Sequence, residues 1–263
     1  MRVALCQITS TAVPSENLSL VRDAVARAAA DGASVAVFPE ATMACFGTSL
    51  GPLAEPLDGP WASAVASVAE EHGVLVVAGM FTPAPDGRVH NTLLATGRGQ
   101  HLGYDKIHLF DAFRFAESKT VAPGSDLAIV SVDDVTLGLA NCYDVRFPEL
   151  FTRLADRGAT VVLMGASWGV GPGKREQWEL LVRARALDST SWLVAAGQAD
   201  PTTSGRSAHP KAPTGIGYSM VASPSGEAVA SLGAGPDVLV VELDLSLVEK
   251  VRESIPVLAN RRL

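Results

Sequence analysis

Residues 135–150 have the sequence VTLGLANCYDVRFPEL, and this stretch contains the clearest indication of the fold. Residues 135–141 are mostly apolar or small, which predicts a buried β-strand that ends at Cys142. Residues 148–157 follow as a predicted helix, which Gly158 ends. A strand followed closely by a helix is typical of α/β proteins, in which sites are built at strand ends.

Short apolar runs alternate with helical patterns along most of the chain. Further strands are predicted at residues 3–8, 35–38, 74–81, 89–95, 160–164, 192–196, 216–222, 228–232 and 238–243. Further helices are predicted after Ser15, which we expect to be an N-cap, at residues 61–71 and 176–187, and from Ser246 onwards. Because the strands are apolar throughout, we expect an α/β fold with two mixed sheets packed face to face and covered by helices.

The length and composition of the chain favour one domain. Hydrophobic residues make up 48% of the 263 residues, which is enough for a large core. The most loop-like segment, residues 200–214, is interpreted as a surface loop and not as a linker. We therefore expect residues 1–263 to form a single domain.

Charge and apolar patterning argue against several classes of protein. The net charge is −7 and no Lys- and Arg-rich run is present, so we expect no nucleic-acid partner. No apolar run approaches the ~18 residues that span a bilayer, and the N-terminus predicts a first strand instead of a signal peptide. Cys6, Cys45 and Cys142 are too scattered for a disulfide framework, so we expect a cytoplasmic protein in a reducing compartment.

Three chemically complementary side chains follow predicted strands. Glu40 comes after residues 35–39, Lys106 after residues 101–105, and Cys142 after the strand described above. Acyl transfer from an amide needs a nucleophile, a base and a positive group for the developing oxyanion. A Cys, a Glu and a Lys supply these three functions, and a neighbouring ammonium or carboxylate can activate the thiol.

Each of these residues taken alone has an ordinary structural interpretation. A Cys after an apolar run is usually a buried thiol, a Glu at a strand end is usually solvated, and a loop Lys is usually a surface charge. The five histidines are dispersed and no metal-binding motif is present, so a metal site is not expected. The functional interpretation depends on the combination of the three residues and on the motifs around them.

Those motifs have a consistent order along the chain. They are VAVFPE at 35–40, YDKIHLFD at 104–111, ESK at 117–119, NCYDVRFPEL at 141–150, Trp178 with RARA at 183–186, and GYSM at 217–220. In order and spacing they resemble the nitrilase superfamily of carbon–nitrogen hydrolases, and the resemblance extends over essentially the whole chain.

The resemblance implies a four-layer αββα sandwich that assembles as a homodimer. It implies Glu40, Lys106 and Cys142 as a catalytic triad, with Glu117 beside the Lys and the substrate nitrogen. The backbone N–H of Tyr143 would complete the oxyanion hole. Neither a metal nor an organic cofactor is implied.

The sequences of these motifs most resemble those of the branch that contains omega-amidases and deaminated-glutathione amidases. This resemblance implies a small-molecule amide as substrate. Arg146 could bind a substrate carboxylate, or it could pair internally with Asp144 or Glu149. Trp168 and Phe113 are further candidates for the substrate pocket, and Phe113 suggests a bulkier wall than this branch has.

Other functions remain open from sequence. An N-carbamoyl amidohydrolase or an aliphatic amidase would use the same triad. A nitrilase is disfavoured because nitrilase chains usually extend further at the C-terminus. A catalytically silent interaction module is disfavoured because all three triad residue types are present.

Overall fold

A computed structural model describes residues 1–112, 115–209 and 212–262. Within these ranges the backbone forms two six-stranded sheets and one small hairpin. The first sheet has the order β14-β1-β2-β3-β4-β5. Its strands are β1 (Arg2–Gln7), β2 (Val35–Val37), β3 (Leu75–Pro83), β4 (Val89–Gly97), β5 (Gln100–Asp105) and β14 (Asp237–Glu242). The strands β1, β2 and β3 are parallel, whereas β4, β5 and β14 join antiparallel to their neighbours.

The second sheet repeats this plan with the order β13-β12-β11-β10-β9-β8. Its strands are β8 (Ile129–Val132), β9 (Val135–Asn141), β10 (Val161–Ala166), β11 (Trp192–Gly197), β12 (Met220–Ala222) and β13 (Ala228–Ser231). The strands β9, β10 and β11 are parallel and the flanking pairs are antiparallel. The small hairpin consists of β6 (Asp111–Ala112) and β7 (Phe115–Ala116).

Helices cover the outer faces of both sheets. They are α1 (Pro14–Ala30), α2 (Pro60–His72), α3 (Pro148–Asp156), α4 (Lys174–Ser189), α5 (Ser246–Ser254) and α6 (Val257–Asn260). In the described ranges no helix has the length and apolar character needed to cross a membrane. The chain therefore has four layers: helices, sheet, sheet and helices.

Strand β1 shows why the strands are apolar on both faces. Val3 and Leu5 pack in the core that contains residues of the second sheet, whereas Ala4 and Cys6 pack against α1 and α2. Because successive side chains of a strand point to opposite faces, burial on both sides removes the usual alternation of polar and apolar residues. This arrangement confirms the predicted α/β fold with two mixed sheets in an αββα sandwich.

Two local predictions were wrong. Ser15 does not cap α1, because the helix begins at Pro14 and the capping position is occupied by Val13. The strand predicted at 216–222 is confined to Met220–Ala222, since Gly217 and Tyr218 both have positive φ angles that an extended strand does not allow.

Candidate active site

The candidate site lies where the carboxyl ends of the central parallel strands of both sheets meet. Glu40 follows β2, Cys142 follows β9, and Ser167 follows β10. Lys106 directly follows β5 of the first sheet, and its backbone N–H donates to the carbonyl of Asn91 on β4 at 2.9 Å. The rigid ends of two sheets thus fix these residues in one place.

Glycines on both sheets allow the backbone of Glu40 to pass between them. A Cβ atom at Gly79 on β3 would lie 2.4 Å from the backbone nitrogen of Ala41 and 2.8 Å from Cα of Glu40. A Cβ atom at Gly165 on β10 would lie 2.8 Å from the backbone nitrogen of Glu40. Because such contacts are too short for a side chain, only glycine fits at these two positions.

The carboxylate of Glu40 is buried and held at both oxygens. Its Oε1 accepts hydrogen bonds from Lys106 Nζ at 2.9 Å and from Asn91 Nδ2 at 2.8 Å. Its Oε2 accepts the backbone N–H of Ser167 at 2.9 Å. The side chain therefore has a fixed orientation, as a general base requires.

A second buried carboxylate, that of Glu117, also accepts hydrogen bonds from Lys106. The Nζ atom of Lys106 donates to Glu117 Oε2 at 3.0 Å and to Oε1 at 3.2 Å. Asn91 Nδ2 also donates to Glu117 Oε1 at 3.1 Å, and the backbone N–H of Phe110 donates to Oε2 at 2.7 Å. Asn91 and Lys106 thus connect the two carboxylates into one network.

Cys142 adopts a backbone conformation that is uncommon for a side chain of its type. Its φ angle is +48°, in the left-handed region, and a 3₁₀ turn, Cys142–Arg146, begins at this residue. Non-glycine residues in this region store strain and cluster at functional sites. The thiol is 8% exposed, and its Sγ lies 3.9 Å from the carbonyl oxygen of Ser167.

The electrostatic environment keeps the Cys142 thiol protonated and Lys106 charged. Burial raises the pKa of Cys142 well above its usual value, and the charge of Glu40 raises it further, whereas Lys106 opposes this effect. Burial alone would lower the pKa of Lys106, but Glu40 and Glu117 outweigh burial and raise it well above its usual value. The resting site therefore combines the protonated Cys142 thiol, the Glu40 carboxylate, which can accept its proton, and the charged Lys106 ammonium.

Asp144 connects the nucleophile turn to the segment after Lys106. This residue is fully buried, and its Oδ2 accepts from Tyr104 Oη at 2.7 Å and from the backbone N–H of Asn141 at 2.8 Å. Its Oδ1 accepts the backbone N–H of His108 at 3.1 Å and lies 2.7 Å from His108 Nδ1. The His108 ring also stacks on Phe147 with centroids 3.7 Å apart. These contacts fix Cys142 and Lys106 relative to each other.

Two cations lie over the indole ring of Trp168. The guanidinium carbon of Arg146 lies 5.3 Å from the centroid of Trp168, and Nζ of Lys174 lies 5.7 Å from the same centroid. The indole N–H of Trp168 donates to the carbonyl of Lys174 at 2.9 Å. Arg146 forms an ion pair with neither Asp144 nor Glu149, and its Nη2 donates to Oε1 of Gln177 at 2.9 Å.

Comparison with known proteins identifies the family. The family model described as carbon-nitrogen hydrolase matches residues 2–253. The chain belongs to the carbon–nitrogen hydrolase family. It is therefore an enzyme that hydrolyses a carbon–nitrogen bond of an amide.

Relatives with a range of identities cover nearly the full length of this hydrolase. A hydrolase from Mycobacterium tuberculosis is 54% identical, and the match covers 99% of this chain and 95% of the relative. The deaminated glutathione amidase of Escherichia coli O157:H7 is 32% identical, with 100% and 97% covered. The omega-amidase NIT2-A of Xenopus laevis is also 32% identical, with 99% and 95% covered.

Solved structures support the same family. Nit3 of Saccharomyces cerevisiae, from branch 10 of the nitrilase superfamily, has a TM-score of 0.86 at 25% identity, with 100% of this chain and 97% of Nit3 covered. A glutamate-to-glutamine mutant of an amidase from Nesterenkonia sp. AN1 has a TM-score of 0.79 at 26% identity, with 97% and 98% covered. That mutant carries acrylamide added at its active-site cysteine.

The structure of the hydrolase brings together most residues that the sequence singled out. Glu40, Lys106, Glu117 and Cys142 form one cluster, and Arg146, Tyr143 and Trp168 lie beside it. Phe113 lies outside the described residues. The described residues contain no group of His, Cys, Asp or Glu side chains that could hold a metal ion.

Several residues of the site were missed from sequence. Asn91 bridges the two carboxylates, Asp144 orders the turn, and Lys174 joins Arg146 at Trp168. The signal for Asn91 was a carboxamide side chain within a predicted strand, since a buried amide is seldom left without hydrogen-bond partners. Lys174 had no such signal, because its neighbour Trp168 is separated from it by a loop in the sequence.

Proposed function

We propose that Cys142 is the nucleophile of this hydrolase, that Glu40 is the general base, and that Lys106 stabilises the oxyanion. The observation that carries the proposal is the buried network in which Lys106 Nζ lies 2.9 Å from Glu40 and 3.0 Å from Glu117, directly beside the Cys142 thiol. A protonated thiol next to a fixed carboxylate and a fixed cation has the parts that acyl transfer needs.

In the first step the thiol sulfur attacks the carbonyl carbon of the amide while Glu40 accepts the thiol proton. The developing oxyanion is bound by the Lys106 ammonium and by the backbone N–H of Tyr143, which lies at the start of the 3₁₀ turn, where N–H groups lack intrahelical partners. Glu40 then donates its proton to the leaving nitrogen, the carbon–nitrogen bond breaks, and ammonia departs. A thioester on Cys142 remains.

In the second step a water molecule attacks the thioester carbonyl while Glu40 accepts one of its protons. The same two donors bind the second oxyanion. The carbon–sulfur bond breaks, the sulfur recovers a proton from Glu40, and the carboxylic acid product leaves. Glu40 thus acts as base and acid in both steps, which its fixed position between Lys106 and Ser167 N–H permits.

The substrate that we propose is a small amide whose acyl chain ends in a carboxylate. The support is Arg146, whose guanidinium lies in the turn that follows Cys142 and donates to a neutral glutamine instead of a carboxylate. Relatives named as omega-amidase and deaminated glutathione amidase are about one-third identical to this chain. A substrate carboxylate would form a charge-assisted bidentate pair with this arginine.

Ammonia release from a panel of compounds tests this function. The panel contains glutaramate, succinamate, deaminated glutathione, neutral aliphatic amides, N-carbamoyl amino acids and nitriles, each incubated with wild type and with Cys142→Ala. We expect turnover of terminal amides that the variant loses. Turnover confined to the carbamoyl compounds would favour an N-carbamoyl amidohydrolase, and turnover that survives in Cys142→Ala would rule out the proposed nucleophile.

We further propose that the protein is a cytoplasmic homodimer. The three cysteines are free, which suits a reducing compartment. Leu187, Ile255 and Val257 are between 37% and 59% exposed and line a groove of about 660 Å³ on the outer helical layer. A second copy would bury this apolar surface. Light scattering should give twice the monomer mass, and Ile255→Glu should lower it; a monomeric wild type would exclude the dimer.

A further inference from the structure

The two cations beside Trp168 belong to different elements of the fold. Arg146 lies in the 3₁₀ turn that begins at Cys142, and Lys174 is the first residue of α4. Gln177, one turn further along α4, accepts the hydrogen bond from Arg146. Trp168 is 6% exposed and donates to the backbone of Lys174. The start of α4, the indole and the nucleophile turn therefore form one connected wall.

The positive charges of Arg146 and Lys174 repel each other at the ring of Trp168. The charge of Arg146 lowers the pKa of Lys174, after burial as the larger cause, whereas Cys142 raises it. The interaction with Cys142 places the Lys174 ammonium within electrostatic range of the reacting sulfur. An anion that contacts both side chains would lower this repulsion and accept a charge-assisted hydrogen bond from each.

The position of this wall relative to the thiol is suited to the far end of an acyl chain. The carbonyl of Ser167 lies 3.9 Å from Cys142 Sγ, and Trp168 is the next residue along the chain. Both cations lie over the ring of Trp168. An acyl chain that extends from the sulfur toward this residue would meet an indole and two cations. A short aliphatic chain that ends in a carboxylate suits such a wall.

We propose that Lys174 is a specificity-determining residue, which together with Arg146 binds the terminal carboxylate of the acyl chain across Trp168. This inference rests on the proposed amide hydrolysis at Cys142 and names the second cation of its substrate pocket. Lys174 selects anionic amides over neutral amides of the same length, and it takes no part in bond breaking.

The test compares two substrates that differ only at the chain end. Glutaramate ends in a carboxylate, and pentanamide has a methyl group in its place. Initial rates of ammonia release are measured for wild type, Lys174→Met, Lys174→Arg, Lys174→Glu and Arg22→Met. The last variant is a control that removes an exposed cation from α1.

For Lys174→Met we expect kcat/KM with glutaramate to fall about 10-fold to 100-fold, mostly through a higher KM, because one charge-assisted contact is lost. The value with pentanamide should change less than about 3-fold. Lys174→Arg should retain most of the preference for glutaramate, and Arg22→Met should behave as wild type. Lys174→Glu should reverse the preference.

An equal loss for both substrates, or no loss for either, would overturn the assignment of Lys174 while leaving the hydrolysis intact. A wild type that prefers pentanamide would overturn it as well. A wild type that hydrolyses neither compound nor any other amide would refute the proposed function itself, and the inference with it. Circular dichroism of each variant identifies any loss that comes from misfolding.

Discussion

The Nζ atom of Lys106 lies 2.9 Å from Oε1 of Glu40, and both side chains are almost completely buried. A buried ion pair is a poor source of stability, because removing two charges from water costs several kcal/mol per ion. Here the pair is extended by Glu117 and Asn91, so that every charged atom has a partner. We interpret this network as a device that fixes the position of the Lys106 ammonium. The ammonium can then stabilise an oxyanion without first moving.

The first prediction concerns the alkylation of Cys142 by iodoacetamide as a function of pH. Because burial and Glu40 raise the pKa of this thiol, alkylation should increase only at alkaline pH. Glu40→Gln removes a charge that raises the pKa, so the midpoint should shift to lower pH. Lys106→Met removes a charge that lowers it, so the midpoint should shift to higher pH. Mass spectrometry of the Cys142 peptide measures both shifts.

The half-buried Cys45 serves as an internal control for this experiment, because its thiol lies in contact with Thr48 and not with the charged network. Its alkylation profile should be the same in all three proteins. Shifts of the Cys142 midpoint in the same direction for both variants would contradict the described electrostatics.

The second prediction concerns Glu117, the second carboxylate in contact with Lys106. Glu117→Gln should lower kcat roughly 10-fold to 100-fold, because Lys106 loses one of two anionic partners and is held less well for the oxyanion. Lys106→Met should have a larger effect, on the order of 100-fold to 1,000-fold. Steady-state kinetics with exposed Glu70→Gln as control makes the comparison, and an unchanged kcat for Glu117→Gln would exclude the role.

The third prediction concerns stability. Asp144→Ala should lower the free energy of unfolding by about 2–4 kcal/mol, because it leaves Tyr104 Oη, the Asn141 N–H and the His108 N–H without their buried acceptor. Asp237→Ala breaks an exposed ion pair with Arg27 and an exposed hydrogen bond from the Val238 N–H, and it should cost less than about 1 kcal/mol. Urea denaturation measures the free energy of unfolding of both variants. Equal losses would show that the hydrogen bonds of Asp144 do not stabilise the turn.

The fourth prediction concerns the glycine that lies against Glu40. Gly79→Ala should cost about 1–3 kcal/mol and reduce kcat about 100-fold, because the new Cβ would displace the Glu40 backbone. Gly51→Ala is the control, since a Cβ there meets no atom within 4 Å. Denaturation and kinetics of both variants test this close approach. A fully active Gly79→Ala would mean that the position of Glu40 is not restricted in this way.

Much of the fold could be predicted from the sequence because the strands of this sandwich are buried on both faces. Their apolar runs are continuous, so β9, β10 and β11 were located to within about two residues at each end. Strand β8 was missed because its residues alternate between exposed and buried, and Ser131 interrupts a run of only four residues. Short strands at a sheet edge give weak patterns.

The candidate triad could be predicted for a different reason. Glu40 and Cys142 each follow an apolar strand directly, so that sequence position implies spatial position at the carboxyl ends of the strands. Contacts between distant segments have no such local signal. The pairing of Arg146 with Gln177, and the meeting of Lys174 with Arg146 at Trp168, depend on how α4 packs against the nucleophile turn, which no local pattern specifies.

The central claim is that the acyl group of the substrate is transferred to Cys142. The most direct test is rapid acid quenching of the enzyme during turnover of glutaramate, followed by mass spectrometry of the peptide that contains Cys142. We predict an added mass equal to the substrate less ammonia on this cysteine, and no ammonia release by Cys142→Ala. A peptide without added mass, together with undiminished ammonia release by Cys142→Ala, would contradict the account.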